Sequence, residues 1–166
     1  MPKKYVMFVD SPMGTFAAWG DEERIVNAGF TKRAGEDSPD LPDHMVECRR
    51  QMTEYFSGER TEFDLPLALG GTEFQVEVWE GLRSIPYGQT RSYGQLAKEI
   101  GRPGAARAVG GACRSNPVGV IVPCHRVIGA NGNLVGFGGQ TKDLSLKRDL
   151  IEHEARRGRA RLDEFD

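Results

Sequence analysis

Cysteine is scarce in this chain: Cys48, Cys113 and Cys124 are the three in 166 residues. An odd number without paired spacing excludes a disulfide framework and leads to an expectation of reduced thiols. Histidine is equally scarce (His44, His125, His153), and there is no Cys-x-x-Cys, so no zinc spacing is recognisable and no metal is expected. No apolar run approaches the ~20 residues of a membrane span. Met-Pro-Lys-Lys at the start is not followed by the apolar stretch of a signal peptide, so the expected location is the cytoplasm, with no membrane partner. Nor does one sign of charge dominate: 22 Lys and Arg against 24 Asp and Glu leave a net of -2, which argues against a uniformly basic nucleic-acid binder.

The average hides an asymmetry. Residues 1–69 carry 8 basic against 13 acidic side chains, and residues 70–166 carry 14 against 11. Within 81–128 the basic residues are Arg83, Arg91, Lys98, Arg102, Arg107, Arg114 and Arg126, against Glu99 alone. Such a block is the charge footprint that a polyanion needs, and Arg is the better phosphate fork. A merely solvated face would carry the same residues.

Along the chain, Tyr5–Val9, Thr15–Trp19 and Arg24–Phe30 read as strands separated by Asp-Ser-Pro-Met-Gly and Gly-Asp-Glu-Glu turns. From Asp43, the positions Met45, Cys48, Met52, Tyr55 and Phe56 fall at helical spacing, which makes Cys48 a core residue. Gly58 to Gly71 reads as a connection. Phe74, Val78, Trp79 and Leu82 then predict an amphipathic helix that ends at Pro86-Tyr87-Gly88. Ser92-Tyr-Gly-Gln95 is a capping box opening a second helix. Gly101 and Arg102-Pro103-Gly104 turn the chain into a third helix, Ala105–Ser115, and the pair resembles a helix-turn-helix. Its second member is mostly Ala, Gly, Cys and Ser apart from Arg107, Val109 and Arg114. A helix that reads the major groove needs long side chains. A small-residue surface carrying one long Arg instead suits close approach to a shallow groove and support of an extruded base, or else close packing within the protein.

Cys124 lies in Val-Ile-Val-Pro-Cys-His-Arg-Val-Ile. Val118–Val122 reads as a strand stopped by Pro123, which has no backbone donor. His125 supplies a base near neutral pH and Arg126 a permanent charge or a structural ion pair. In an extended strand the Cys and His side chains would point apart, so a bend after Pro123 is required. On the last helix, about Asp143–Glu154, roughly 100° per residue places Glu154 between Leu150 and Ile151 on the apolar side, with Lys147 in the same sector. A carboxylate on a buried face needs a partner, and His125 is the candidate. Cys124, His125 and Glu154 would then be nucleophile, base and orienter, a trio that would equally suit a cysteine hydrolase.

The chain closely resembles the methylated-DNA-protein-cysteine methyltransferases, or 6-O-alkylguanine-DNA alkyltransferases. The resemblance rests on Ile85-Pro-Tyr-Gly-Gln-Thr-Arg-Ser-Tyr93, Ala106-Arg-Ala-Val-Gly110, Asn116-Pro117, Pro123-Cys-His-Arg-Val127 and Gly136-Phe-Gly-Gly139, in that order across about Gly71–Glu154. It implies an α+β fold: a small N-terminal antiparallel sheet with a helix (1–69), a mainly helical domain with the helix-turn-helix and a short strand leading to the cysteine (70–154), and a charged tail (155–166). It implies that the damaged guanine is flipped out through the minor groove and its alkyl group passed irreversibly to Cys124. His125 would take the thiol proton through a water, Glu154 would stand behind it, Asn116 would brace the turn, and Tyr93 would donate to the leaving guanine. Arg107 would intercalate, and Ala108, Gly110, Arg114, Arg102 and Ser92 would complete the DNA-facing set. Val127, Phe137, Gly138 and Gly119 would line the base pocket. No cofactor is implied. The partner would be double-stranded DNA containing 6-O-alkylguanine, met by a monomer, with cooperative assembly on DNA left open.

Gly119 replaces a proline of some members, Phe137 a tyrosine and Gly138 a hydroxyl donor, and Gln140–Leu146 is a few residues longer than usual, which together suggest a roomier, less polar pocket. Three rivals stand beside this reading. A non-catalytic lesion binder of the alkyltransferase-like type would lack the active cysteine. A hydrolase would need an oxyanion hole, and a pure DNA-binding regulator would need more base-reading side chains than the third helix offers.

Overall fold

A computed structural model describes residues 5–33, 35–130, 132 and 144–165, with the side chains of the last helix through 156. The chain divides into two compact units, one of residues 1–69 with Pro117–Ile121 and the other of Gly70–Asn116 with 122–166.

The first unit is a meander of β1 (Tyr5–Ser11), β2 (Gly14–Gly20) and β3 (Ile25–Thr31), all antiparallel, covered by α1 (Asp43–Phe56). Strand limits fall within two residues of those read from the sequence, because turn residues and alternation fix them. Met45, Cys48, Met52, Tyr55 and Phe56 of α1 are buried, at the spacing that marked them as core. Phe16, Phe30 and Phe56 meet edge to face with centroids 5.8 to 5.9 Å apart, the arrangement that the ring quadrupole favours. Burial pushes the Cys48 thiol up to about 12, so it stays protonated and inert.

The outer edge of β3 is closed by two short parallel stretches. Ile25 and Leu67 form one bridge, with the Ile25 amide donating to Pro66 at 2.8 Å and Ala68 to Ile25 at 2.9 Å. Ala28 and Val118 form the other, with Ala28 donating to Pro117 and Gly119 to Ala28, both at 2.9 Å. These bonds satisfy edge groups that would otherwise invite another strand.

The strand expected over Val118–Val122 does not form as a continuous element. Val118 bridges to Ala28, and the chain then reverses, with Val120 at φ 70° and the Ile121 amide donating back to Gly119 at 2.9 Å. Pro117 and Pro123 contribute no amide to a ladder, and a residue at positive φ cannot continue one. Val120 is β-branched and 2% exposed; its left-handed backbone costs about 1–3 kcal/mol and persists because packing holds it.

The second unit contains α2 (Glu73–Arg83), α3 (Tyr93–Glu99), α4 (Ala106–Arg114) and α5 (Ser145–Phe165), with β4 (Arg91–Ser92) parallel to β5 (Val127–Ile128). Two capping boxes start helices. Thr72 and Gln75 exchange bonds of 3.1 and 2.9 Å at α2, and Ser92 and Gln95 bonds of 3.0 and 2.8 Å at α3. Gly101, at φ 78°, ends α3 in a conformation that other residues adopt at a cost, and the chain turns through Pro103 and Gly104 into α4. Trp79 is the core anchor expected of it, 2% exposed, with its indole N–H donating to the Ala112 carbonyl at 2.9 Å. Where sequence reasoning expects a frayed tail after Glu154, α5 continues to Phe165.

Candidate active site

Pro123 (φ -84°, ψ 68°) leads into a single 3₁₀ turn, Cys124–Arg126. Successive side chains in such a turn diverge by about 120° rather than 180°, which supplies the bend that a strand could not. The Cys124 amide donates to Val122 at 2.9 Å and the Arg126 amide to Pro123 at 3.0 Å. From the end of α4, the Asn116 side-chain amide donates to the Val122 carbonyl at 2.8 Å, clamping the approach to the turn. On the far side, β5 pairs Val127 with Arg91 and Ile128 with Ser92, which fixes the start of α3 beside the segment that follows the cysteine.

All three residues of the turn are buried: Cys124 is 3%, His125 0% and Arg126 6% exposed. Glu154, one turn beyond Leu150 on α5, is buried with them. Its Oε2 lies 2.7 Å from His125 Nε2. Arg126 donates through Nε to Oε1 at 2.8 Å and through Nη2 to Oε2 at 3.1 Å, and its Nη1 donates to the Ile85 carbonyl at 2.7 Å. The Gly88 amide reaches Oε1 at 3.5 Å, and the Arg126 guanidinium sits 5.7 Å from the Tyr87 ring centroid.

These contacts set the charge states. Burial opposes the Glu154 charge, but His125 and the two-pronged Arg126 contact outweigh it and hold the carboxyl well below its usual range. Burial also pushes His125 below 6.5 and outweighs the pull of Glu154, so its imidazole is neutral. A neutral ring that donates from Nε2 to a carboxylate presents a lone pair at Nδ1. That atom is buried with no hydrogen-bond partner among the described residues. The trio expected from the sequence is thus assembled as far as His125 and Glu154, with Arg126 joined to it.

Tyr93, at the first turn of α3, meets Lys147 of α5, whose Nζ lies 3.4 Å from the phenolic oxygen. Burial, with Cys113 and Cys124 adding to it, pushes the Tyr93 hydroxyl up to about 12. Cys113, on α4, is pushed up to about 12 by burial and stays a thiol.

On α4, Val109, Ala112 and Cys113 face inward, while Arg107, Ala108 and Arg114 are exposed and Gly110 is half-buried. Neither Arg107 nor Arg114 has an ion-pair partner among the described residues. Arg102 is exposed but donates twice to Glu77, at 3.0 and 3.1 Å, so a carboxylate on α2 compensates its charge. Arg91 is likewise paired with Glu99 at 2.8 Å. The basic block therefore narrows to fewer uncompensated charges than its composition suggests, and Arg102 is set apart from the other Arg residues expected to face DNA. Ser92 is occupied in capping α3. Val127 is buried next to the turn, and Gly119 belongs to the first unit, against Ala28. Phe137 and Gly138 lie outside the described residues.

Sequence reasoning missed two members. Arg126 was readable only as a charge or an unassigned ion pair, and Lys147 only as an awkward residue on an apolar face. Its spacing seven residues ahead of Glu154, two helical turns on one face, is the signal that could have found it. Among the described residues, no three His, Cys, Asp or Glu side chains could hold a metal ion, and no helix is long and apolar enough to cross a membrane.

Family models match both parts: the DNA-binding domain of 6-O-methylguanine DNA methyltransferase over residues 73–156, and the ribonuclease-like domain of the same proteins over 4–69. The chain belongs to the 6-O-methylguanine DNA methyltransferase family. The methylated-DNA-protein-cysteine methyltransferase of Mycobacterium tuberculosis is 47% identical over 163 residues, 95% of this chain and 96% of that one. That of Methanosarcina acetivorans is 47% identical over 157 residues, covering 90% and 97%. A crystal structure of the M. tuberculosis family member in complex with DNA matches with a TM-score of 0.79 at 45% identity, over 92% of this chain and 93% of that one.

Proposed function

We propose that this protein repairs alkylated DNA by transferring the 6-O-alkyl group of guanine in duplex DNA to Cys124. The observation that carries the reading is the orientation of His125: Nε2 is held by Glu154, and a buried Nδ1 without a hydrogen-bond partner among the described residues is left beside the cysteine in sequence. His125 takes the Cys124 proton through a water, and the sulfur attacks the alkyl carbon. A carbon–sulfur bond forms, the carbon–O6 bond breaks, and the electron pair leaves with guanine, which recovers a proton by donation from Tyr93, while the proton taken up by His125 returns through solvent to restore the phenol. The balance closes without a cofactor. A thioether is not reopened by any group in this cluster, so each molecule acts once.

Asn116 holds the turn in place, and Arg126 keeps Glu154 ionised and in position, so that the imidazole cannot rotate. The exposed face of α4 supplies the DNA surface: Ala108 and Gly110 permit close approach, Arg107 fills the space of the extruded base, and Arg114 meets phosphate. Arg102 would have to leave Glu77 to join them, and Ser92 supports the surface by capping α3. Val127, buried next to the turn, contributes to the base pocket. The protein acts as a cytoplasmic monomer, and residues 1–69 support the catalytic part.

Cys124→Ser tests this directly. The variant should bind a duplex containing 6-O-methylguanine with an affinity near wild type and leave its methyl group in place. Loss of binding would contradict the assigned role, as would methyl removal by the variant.

A further inference from the structure

Val120 is buried at φ 70°, a backbone conformation that a β-branched residue rarely adopts. The Ile121 amide donates to the Gly119 carbonyl at 2.9 Å, which makes residues 119–121 the strained form of the γ-turn. Strain of this kind persists only where the surroundings impose it, and the mechanism above gives Val120 no part. Its neighbours in the chain supply the constraint. Pro117 and Pro123 disfavour helical backbone at Asn116 and Val122, so the reversal has to fall between the two prolines. Pro117 and Gly119 are both held to β3, the first accepting from the Ala28 amide and the second donating to the Ala28 carbonyl, each at 2.9 Å. A Cβ on Gly119 would lie 3.3 Å from that carbonyl, closer than side-chain carbons usually come. The turn is therefore left to Val120 and Ile121.

That turn closes a loop. An extended chain rises about 3.3 Å per residue, so Val122 would lie roughly 20 Å from Asn116 if the segment ran straight on along β3. Instead the Asn116 side-chain amide donates to the Val122 carbonyl at 2.8 Å, and the Cys124 amide donates to the same oxygen at 2.9 Å. Pro117–Ile121 belongs to the first unit, whereas Asn116 and Val122 belong to the second. The chain thus leaves the second unit at Asn116 and returns to it at Val122, and the reversal at Val120 makes the return possible. About Pro123 the same kind of bond takes the relaxed form, with φ -84° and ψ 68°. Of the two turns leading to the cysteine, only the one at Val120 is strained.

We propose that Val120 is a positioning residue for alkyl transfer: its left-handed turn brings the Val122 carbonyl back to Asn116 and the Cys124 amide, and so fixes the sulfur for attack on a docked base. A glycine would make the same turn without strain but would leave it free to adopt others. The inference rests on the reading that Cys124 accepts the alkyl group. Val120 acts through the placement of the sulfur, not through its ionisation or the docking of DNA, and the three separate by experiment.

Single-turnover rates at saturating protein are measured for Val120→Gly, Val120→Ala, Cys124→Ser and Val9→Ala, the last of which empties a buried site in β1 of the same unit. Two probes are used: a duplex containing 6-O-methylguanine, and iodoacetamide, a small alkylating agent that needs no docked geometry. Val120→Gly should slow methyl transfer at least about tenfold while binding the duplex within about threefold of wild type. Its Cys124 should react with iodoacetamide as fast as in wild type or faster, since a loosened turn uncovers the thiol. Val9→Ala should transfer within about threefold of wild type. A wild-type transfer rate for Val120→Gly would overturn the inference. So would equal slowing with both probes, which would put the defect in ionisation of the thiol, a loss of binding that matches the loss of rate, or equal slowing in Val9→Ala, which would make the effect one of lost packing. If Cys124→Ser still removes the methyl group, the acceptor reading fails and the inference falls with it; if Cys124→Ser is inactive and Val120→Gly is not slowed, the Val120 inference alone fails. Should Val120→Gly not fold by circular dichroism, Val120→Ala decides: transfer slowed at least about threefold with iodoacetamide labelling unchanged supports the role, and transfer at the wild-type rate overturns it.

Discussion

In residues 1–69 the buried polar side chain among those described is Gln51, neutral and fully engaged through its amide with Glu47 and the Asp64 backbone. Among the described residues of 70–166 the buried polar side chains are His125, Arg126, Lys147 and Glu154, all ionisable and all on the turn of Cys124 or on α5. The first unit keeps its charges outside, as in the ion pairs of Arg50 with Glu47 and Glu54. Apolar replacements of buried ion pairs are often as stable or more so, so these buried ionisable groups are a cost to folding. In the proposed reaction their use is a carboxylate fixed by Arg126 and an imidazole kept neutral.

The largest effect that sharpens this contrast is expected from Arg126→Met. It leaves Glu154 buried without its two-pronged guanidinium partner, and urea unfolding should show a loss of about 3–5 kcal/mol, together with a rise in the His125 pKa because a cation that opposes its protonation is removed. A smaller effect comes from pH. The folded state holds His125 below its ordinary 6.5, so the unfolded chain binds that proton first, and stability declines as pH falls through about 6.5. Glu154 is held below its ordinary 4.5; its contribution is present above that value and is lost as pH falls beneath it. Methyl transfer should hold steady down to about pH 6.5 and decline only below, which single-turnover rates across that range would show. An acid limb above 6.5 would contradict a neutral, desolvated His125. The smallest effect is expected from Arg50→Ala on α1. That pair is solvent-screened, and the thermal midpoint should not move beyond experimental error.

The elements that were legible in the sequence are those whose causes are local. The three strands are bounded by turn residues, α1 shows its stripe of Met45, Cys48, Met52 and Tyr55, α2 shows its face of Phe74, Val78, Trp79 and Leu82, and α3 announces itself through Ser92/Gln95. The partnership of His125 with Glu154 was also readable, because a carboxylate on an apolar helical face has few ways to be satisfied. What was not legible depends on distant partners. The run Val118–Val122 has the composition of a strand, and nothing in it discloses that Val120 adopts a left-handed backbone or that Val118 bridges to Ala28. Arg102 counts toward a basic block until Glu77, 25 residues earlier, is seen to take its charge. Arg126 reads as a charge or an ion pair without a named partner and Lys147 as an odd residue on an apolar face; only packing shows both of them inside.

The most direct test of the central claim is peptide mass spectrometry after incubation with excess duplex containing 6-O-methylguanine. The account predicts one methyl group per protein molecule, retained on the peptide that carries Cys124, and no further methyl loss from the DNA once every molecule is modified. Continued methyl removal with Cys124 unmodified, or methyl retained on Cys48 or Cys113 instead, would contradict it.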